Sequence, residues 1–461
     1  MTSETHPCPP PITGNLPPLL QKPRGPSRVL RRLLGVDRPI PARAPEEIEA
    51  ETARNYRWNF AVNVLDGTSY GFGESFISAH TILPLFISKL TPNPLAVGLL
   101  GVVTQSGWLL PQLFTANTIE HLPRSKPVVV NLGLFLERVP LWVMILSALV
   151  AGHAPMLGLA LFLLTYTWRI VGAGIVATAW QNMIANCFPV ERRGRYLGLT
   201  NFLGAGLGII GAGISAYILE TTPFPTNFAI IFAVATLLNT VSWVFLALTR
   251  ETPRPNPNPP PSERDFLRQL PVILRQDHNF RRYLTTRVLG TLGGMGLAFI
   301  TIAALARWHI PDSIVGLYTT LTLIGQTCGN VAGGLLADRY GHKHSLVLGG
   351  LAAAGAFLIA WLAAAPAWYY AVFGLMGLSS GIGVVSGILI VMEFSPPAQR
   401  PTYVGLANTI SGITGIIAPL LGAALAAWSY SGLFALSALA YLIATGLLIW
   451  RVKDPRSILA S

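Results

Sequence analysis

Ionisable side chains stand inside the long apolar runs of this chain, and the candidates among them are Asp66, Glu74, Glu137, Arg138 and Arg169, with His80 on the same run as the first two. A charge in hydrocarbon is costly, so an intramembrane acid or base is a functional candidate by default. The chemistry open to such a set is proton uptake and release. Burial favours the protonated form of a carboxyl, and a nearby guanidinium favours the ionised form. An acid beside an arginine can therefore exchange a proton for an ion pair. Asp66 and Glu74 lie about 80° apart around a helix, which predicts that both face one cavity. Glu137 and Arg169 are expected to pair across two neighbouring helices. Plain alternatives stand beside both readings: Glu74 held by the hydroxyls of Ser75, Ser78 or Thr81, and Glu137, Arg138 and Arg169 forming a purely structural ion pair. Trp180 and Gln181, further along the run that holds Arg169, are candidates to line the cavity, as is Trp108.

Holding these groups requires long apolar helices, and the composition supplies them. The 461 residues are 52% hydrophobic and 11% charged, with a mean hydropathy of +0.52; soluble domains are about one-quarter charged. A membrane-spanning helix needs about 20 mostly apolar residues. Runs 58–90, 95–120, 127–151, 155–187, 196–220 and 226–249 qualify as spans 1 to 6. Runs 282–308, 312–337, 344–365, 366–394, 402–429 and 430–451 qualify as spans 7 to 12. The expected fold is an all-α membrane protein of twelve helices in two six-helix halves, 58–249 and 282–451.

The polar remainder sets orientation. Residues 1–57 hold eleven prolines and nine Lys/Arg and read as a disordered basic tail. Within it, 27–36 reads either as a short helix on an anionic membrane surface or as solvated chain. The linker, 250–281, has six prolines from Pro253 to Pro261, an extended spacer. An amphipathic helix with Phe266, Leu267, Leu270, Ile273 and Leu274 follows a capping start at Ser262. Residues 452–461 form a second tail. Even span numbers place both tails and the linker on one side, which carries 28 of the 32 Lys/Arg. The positive-inside rule makes that side cytoplasmic. The net charge of +12 is thus topogenic and gives no reason to expect a nucleic-acid partner. Cys8, Cys187 and Cys328 have no metal-ligand spacing, and neither a P-loop nor a hydrolase signature occurs. No metal, cofactor or enzymatic activity is expected.

The halves are copies. At an offset of 338 − 120 = 218, Val97, Gly98, Leu99, Thr104 and Gly107 recur as Val315, Gly316, Leu317, Thr322 and Gly325. At 403 − 196 = 207, Arg193, Tyr196, Gly198 and Asn201 recur as Arg400, Tyr403, Gly405 and Asn408. Duplicated halves place a site between them near the membrane midplane. After span 8 stands a charged turn with Gly334, Asp338, Arg339, Gly341 and Lys343; a degenerate copy after span 2 has Ala116, Glu120, Pro123, Arg124 and Lys126.

In that turn, its repeat and the twelve spans, the chain resembles the major facilitator superfamily of secondary transporters, from about Arg57 to Lys453. The resemblance implies alternating access by rocking of two halves. Asp338 is expected at the start of span 5 near Arg193, and Glu120 at the start of span 11 near Arg400. Each would act as a gating latch worth about 0.3–1 kcal/mol, the gain of an anion at a helix N-terminus; the plain alternative is that these charges only set topology. Asp66 in Leu65-Asp66-Gly67-Thr68 and Arg169 on span 4 resemble positions of drug:proton antiporters. The glycine run Gly204 to Gly213 lacks the Gly-Pro that ends their span 5. The expected function is proton-coupled export of a small amphipathic solute by a monomer in the plasma membrane, among lipid. Uptake of a sugar, nucleoside or other metabolite is the alternative, with a lipid carrier or a non-transporting receptor behind it.

Overall fold

The computed structural model describes residues 33–35, 44–120, 122, 124–253, 273–395 and 399–455. The expected helix at 262–274 and most of that at 27–36 lie outside these residues. Among the described residues, twelve membrane-length helical stretches run back and forth, and ten of them are long and apolar enough to cross a membrane by composition alone. The other two are spans 1 and 8, which are rich in polar side chains. Both halves begin and end at one end of the bundle, the entry end: Trp58 Nε1 donates to the Leu248 carbonyl, and Asn279 Nδ2 to that of Lys453. The opposite end is called the far end.

Span 1 starts earlier than its hydropathy suggests. Its first helix is Pro45–Ser75, with proline at the first position and Glu46 and Glu47 in the first turn, both favourable at a helix N-terminus. Residues 45–57 are therefore helix, a correction to the disordered tail. Further upstream, Leu34 is buried against Val128 and Ile184, and the Leu33 carbonyl accepts from Asn131.

Span 1 is broken. The chain unwinds after Ser75 and resumes as Ile82–Leu90. Pro84 stands in the first turn of the second piece, where its missing N–H costs least; further along a continuous helix it would leave the His80 carbonyl without its donor. That carbonyl accepts instead from Thr301 Oγ1 of span 7, at 2.8 Å. Span 7 comprises His278–Gly293, a 3₁₀ turn Gly294–Phe299, and Ile300–Trp308. The two breaks, 76–81 and 294–299, are separated by the repeat offset, 294 − 76 = 218. Both interruptions are part of the duplicated design.

Spans 2, 4, 5 and 6 are Pro94–Glu120, Pro155–Cys187, Val190–Thr221 and Thr226–Ala247. Span 3 opens with two π-helical turns, Val128–Leu132 and Leu134–Arg138, before the α-helix Val139–Ala151. Spans 8 to 12 are Ile314–Tyr340, His342–Leu362, Trp368–Phe394, Arg400–Trp428 and Tyr430–Arg451.

Glycines decide how closely the halves approach. A Cβ on Gly98 of span 2 would lie 2.7 Å from Ala423 Cβ of span 11, and one on Gly316 of span 8 would lie 2.5 Å from Ala216 Cβ of span 5. These contacts are repeat-equivalents (316 − 98 = 218; 423 − 216 = 207), so the interface has pseudo-twofold symmetry. One apolar core at the far end joins both halves, with Phe86 and Val97 packed together with Phe299, Val315 and Ala418. At the entry end each half has its own core, around Phe188 and Tyr196 in one and Phe280 and Tyr403 in the other. The halves meet at the far end and part at the entry end.

Candidate functional site

Between the halves lies a cavity of about 630 Å³. Its ionisable side chains are Glu74 and His80 of span 1 and Arg169 of span 4, together with the hydroxyls of Tyr70, Tyr166 and Tyr441. The second half contributes hydroxyls and one amide, from Thr319, Thr322 and Gln326 on span 8 and Ser379 and Ser380 on span 10, alongside Phe373 and Met376.

The ion pairs differ from those the sequence suggested. Arg169 Nη2 donates to Glu74 Oε1; the arginine side chain is 3% exposed and the glutamate 31%, opening onto the cavity. Arg138 pairs with its neighbour Glu137 inside the second π-helical turn, and both are buried. The expected Glu137–Arg169 pair is thus replaced by two others: Glu137, in a π-helical turn, bonds its neighbour Arg138 and stays within electrostatic range of Arg169 without pairing to it. Asp66 does not share the cavity with Glu74. Two turns deeper, about 12 Å along the helix, it is 5% exposed and accepts from Ser242 Oγ of span 6 at 2.6 Å.

These groups still form one electrostatic cluster. Glu137 and Arg138 lie within interaction range of both Asp66 and Glu74, and the Arg138 guanidinium is 5.9 Å from the Tyr70 ring centre. Tyr70 stands one turn from each acid on span 1. Asn239 of span 6 lies within hydrogen-bonding reach of Glu74. Three carboxylates and two guanidiniums sum to −1, so one proton neutralises the cluster. Asp66 is the acid whose bonded partner is a hydroxyl.

Trp180 and Gln181 do not line the cavity. They lie about 16 Å beyond Arg169 along span 4, where Trp180 packs against the entry-end core and Gln181 is exposed. Trp108 does line it. The span 8 and span 10 polar residues escaped the sequence reading, although Thr319, Thr322 and Gln326 have helical spacing in an apolar run.

The far end is shut. Lys89 Nζ meets Asp312 Oδ2 at 2.6 Å, Thr81 and Thr319 hydroxyls are 2.7 Å apart, and Ser106 Oγ donates to the Gly412 carbonyl at 2.7 Å near the midplane. The Thr301 hydroxyl of span 7 also donates to the His80 carbonyl of span 1. The expected Asp338–Arg193 contact is not formed. Asp338 is exposed, and Arg193 donates to the Phe188 and Ala185 carbonyls at the end of span 4. Lys343 donates to the Ile449 carbonyl of span 12, and Arg339 lies over the Tyr340 ring. Gly341 has φ +93°, a conformation that favours glycine, and the Asp454 carboxylate crowds its absent Cβ. A Cβ on Gly334 would meet nothing within 4 Å. The side chains of Glu120 and Arg400 lie outside the described residues.

An anion that does occupy the start of another helix is Glu251, just past span 6. Its carboxylate accepts from the backbone N–H of Ser125 and Lys126 (2.7–3.1 Å) at the start of span 3, and from Asn186 of span 4. Arg124 and Lys126 line a second, 460 Å³ pocket beside it. Burial holds the Lys126 ammonium below its ordinary range, against the pull of Glu251. Glu251→Ala should lower thermal stability by about 1–3 kcal/mol, the cost of orphaned donors, read as a fall in the melting midpoint of the purified protein.

A family model described as the Major Facilitator Superfamily matches residues 81–307 and again 288–460. The chain belongs to the major facilitator superfamily. Among superfamily relatives, the MFS-type transporter YfkF of Bacillus subtilis (strain 168) is 23% identical over 268 residues, 56% of this chain and 63% of that one. The multidrug transporter AQR1 of Candida glabrata is 29% identical over 133 residues, 28% of this chain and 22% of its own. The chain spans 22–63% of the length of the curated relatives it matches. Among solved structures, a D-xylose–proton symporter superposes with a TM-score of 0.64 at 15% identity, covering 87% of this chain and 99% of that one. The nucleoside transporter NupG gives 0.64 at 12%, covering 85% and 99%. These likenesses establish the superfamily fold and a multi-pass membrane protein.

Proposed function

We propose that the chain is a proton-coupled secondary transporter of the plasma membrane that exports a small amphipathic solute. The observation that carries the reading is the buried cluster with one carboxylate in excess of its guanidiniums, opening through Glu74 into a cavity closed at one end. With the basic end cytoplasmic, by the positive-inside rule, the structure is the inward-facing state. A solute entering from the cytoplasm meets Glu74–Arg169 on one wall and neutral donors and acceptors on the other. A proton arriving at the cluster removes its net charge, releases Arg169 from full pairing and changes the cost of closing the entry end. Asp66 stores the proton and Glu74 communicates its presence to the cavity.

A second reading, uptake of a polyhydroxylated solute such as a sugar or nucleoside, draws on the Thr319, Thr322, Gln326, Ser379 and Ser380 wall. Purified protein in liposomes with an imposed pH gradient and a solute panel separates the two by direction and by substrate. Asp66→Asn mimics the protonated acid and keeps the Ser242 bond. It should retain downhill solute exchange and lose accumulation driven by the gradient. Accumulation at the unaltered level in this variant would overturn proton storage at Asp66.

A further inference from the structure

Arg287 is counted among the cytoplasmic bases by sequence, but the structure places it inside span 7. It lies nine residues from the entry-end start of that helix at His278, about 14 Å along it. Its partners are neutral oxygens: Nε donates to Ser411 Oγ of span 11 at 2.6 Å, and Nη1 to the Gly387 carbonyl of span 10 at 2.9 Å and to Tyr283 Oη at 3.4 Å. Nη2 makes no hydrogen bond among the described residues and is not among the buried polar atoms. A guanidinium cannot shed its charge, and a basic group at this depth calls for an anion.

The surroundings show where that anion would come from. On span 7 the face bearing Arg287 continues through Gly290 and Gly294 to Leu297, which lines the cavity. On span 10 the face of Met376 and Ser380, also cavity-lining, continues through Gly383 to Gly387. A Cβ on Gly290, Gly383 or Gly387 would meet nothing within 4 Å. Two glycine-bearing faces thus lead from the cavity toward the entry end, open at Gly290, Gly383 and Gly387, narrowed at Gly294 by Leu297 and Tyr441, and bridged by the Arg287–Gly387 bond. The nearest acid on the span 10 helix, Glu393, stands six residues beyond Gly387 and faces His342 at 3.8 Å.

We infer that Arg287 is an anion-docking site on the path between the cavity and the entry end, and that the transported solute is a small amphipathic molecule with a carboxylate. The carboxylate takes the free Nη2 edge, and the apolar part reaches the Leu297, Phe373 and Met376 wall. This deepens the transport reading by naming the substrate class, and its test needs no gradient, so it fails or succeeds separately from proton coupling.

The test is thermal stabilisation of the full chain in nanodiscs of neutral lipid, titrated with 4-phenylbutyrate or its uncharged amide. The acid should bind at least about tenfold tighter than the amide, a difference of about 1.4 kcal/mol. Arg287→Gln should erase the preference and Arg287→Lys should keep part of it. Ser411→Asp, which supplies an internal carboxylate and leaves no group unpaired, should erase it as well and covers the case in which Arg287→Gln does not fold. Equal binding of acid and amide by the unaltered protein overturns the inference. So does a preference that survives Arg287→Gln or Ser411→Asp, or one lost only on Arg169→Gln.

Discussion

Glu74→Gln should cost more stability than Arg169→Gln, although each removes one partner of the same ion pair. Breaking a buried pair costs about 3–5 kcal/mol when the survivor is left charged and dry. Removing Glu74 strands a guanidinium 3% exposed, and an arginine has no neutral form to retreat to. Removing Arg169 strands a carboxyl that opens onto the cavity and can take up a proton. The Glu74→Gln variant should therefore show the larger drop in unfolding midpoint, and the double variant should recover part of it. A coupling of about 0.5–3 kcal/mol is expected for groups in direct contact. Function should follow a different order. Both single variants should lose gradient-driven transport by at least about tenfold, a barrier change of about 1.4 kcal/mol. Midpoints in the reverse order would mean that Glu74, not Arg169, carries the burial cost.

How much of this was legible in the sequence follows from what kind of signal each feature leaves. Charges in apolar runs stand out singly, so Asp66, Glu74 and Arg169 could be picked without knowing their neighbours. Their pairing could not, because one residue of register is about 100° of rotation and span 3 departs from α-helical rotation where Glu137 sits. The twin breaks of spans 1 and 7 are marked by Pro84 in one and by Gly293, Gly294 and Gly296 in the other, yet neither looks like a break until the helices are seen to stop. Glu251 reads as linker punctuation; its role depends on Ser125 and Lys126, more than a hundred residues earlier. Asp338 illustrates another limit. A sequence encodes both ends of a transport cycle, whereas one conformation displays the contacts of one end. The carboxylate expected at span 5 is exposed here because the entry end is parted.

That asymmetry yields the second large effect. Gly316 and Gly334 lie on the same helix, span 8, and each is smallest where a half must approach its partner. In this state the far end is closed on Gly316, whose added Cβ would lie 2.5 Å from the Ala212 carbonyl oxygen, a backbone atom that cannot swing aside. Gly334, at the parted end, has open space. Gly316→Leu should therefore penalise only the state with the far end closed, and Gly334→Leu should penalise only the state in which the entry end closes. Overpacking of this kind costs about 1–3 kcal/mol, a shift of about 5–150-fold in a two-state equilibrium. A Gln326→Cys reporter, in a background lacking Cys8, Cys187 and Cys328, reads the outcome through membrane-impermeant thiol reagents. Gly316→Leu should move labelling toward the far end and Gly334→Leu toward the entry end, both with slowed transport and near-normal folding. If Gly334→Leu leaves labelling and transport unchanged, the entry end does not close by bringing span 5 onto that glycine, and the charged turn after span 8 serves topology and its bonds to span 12 instead of gating.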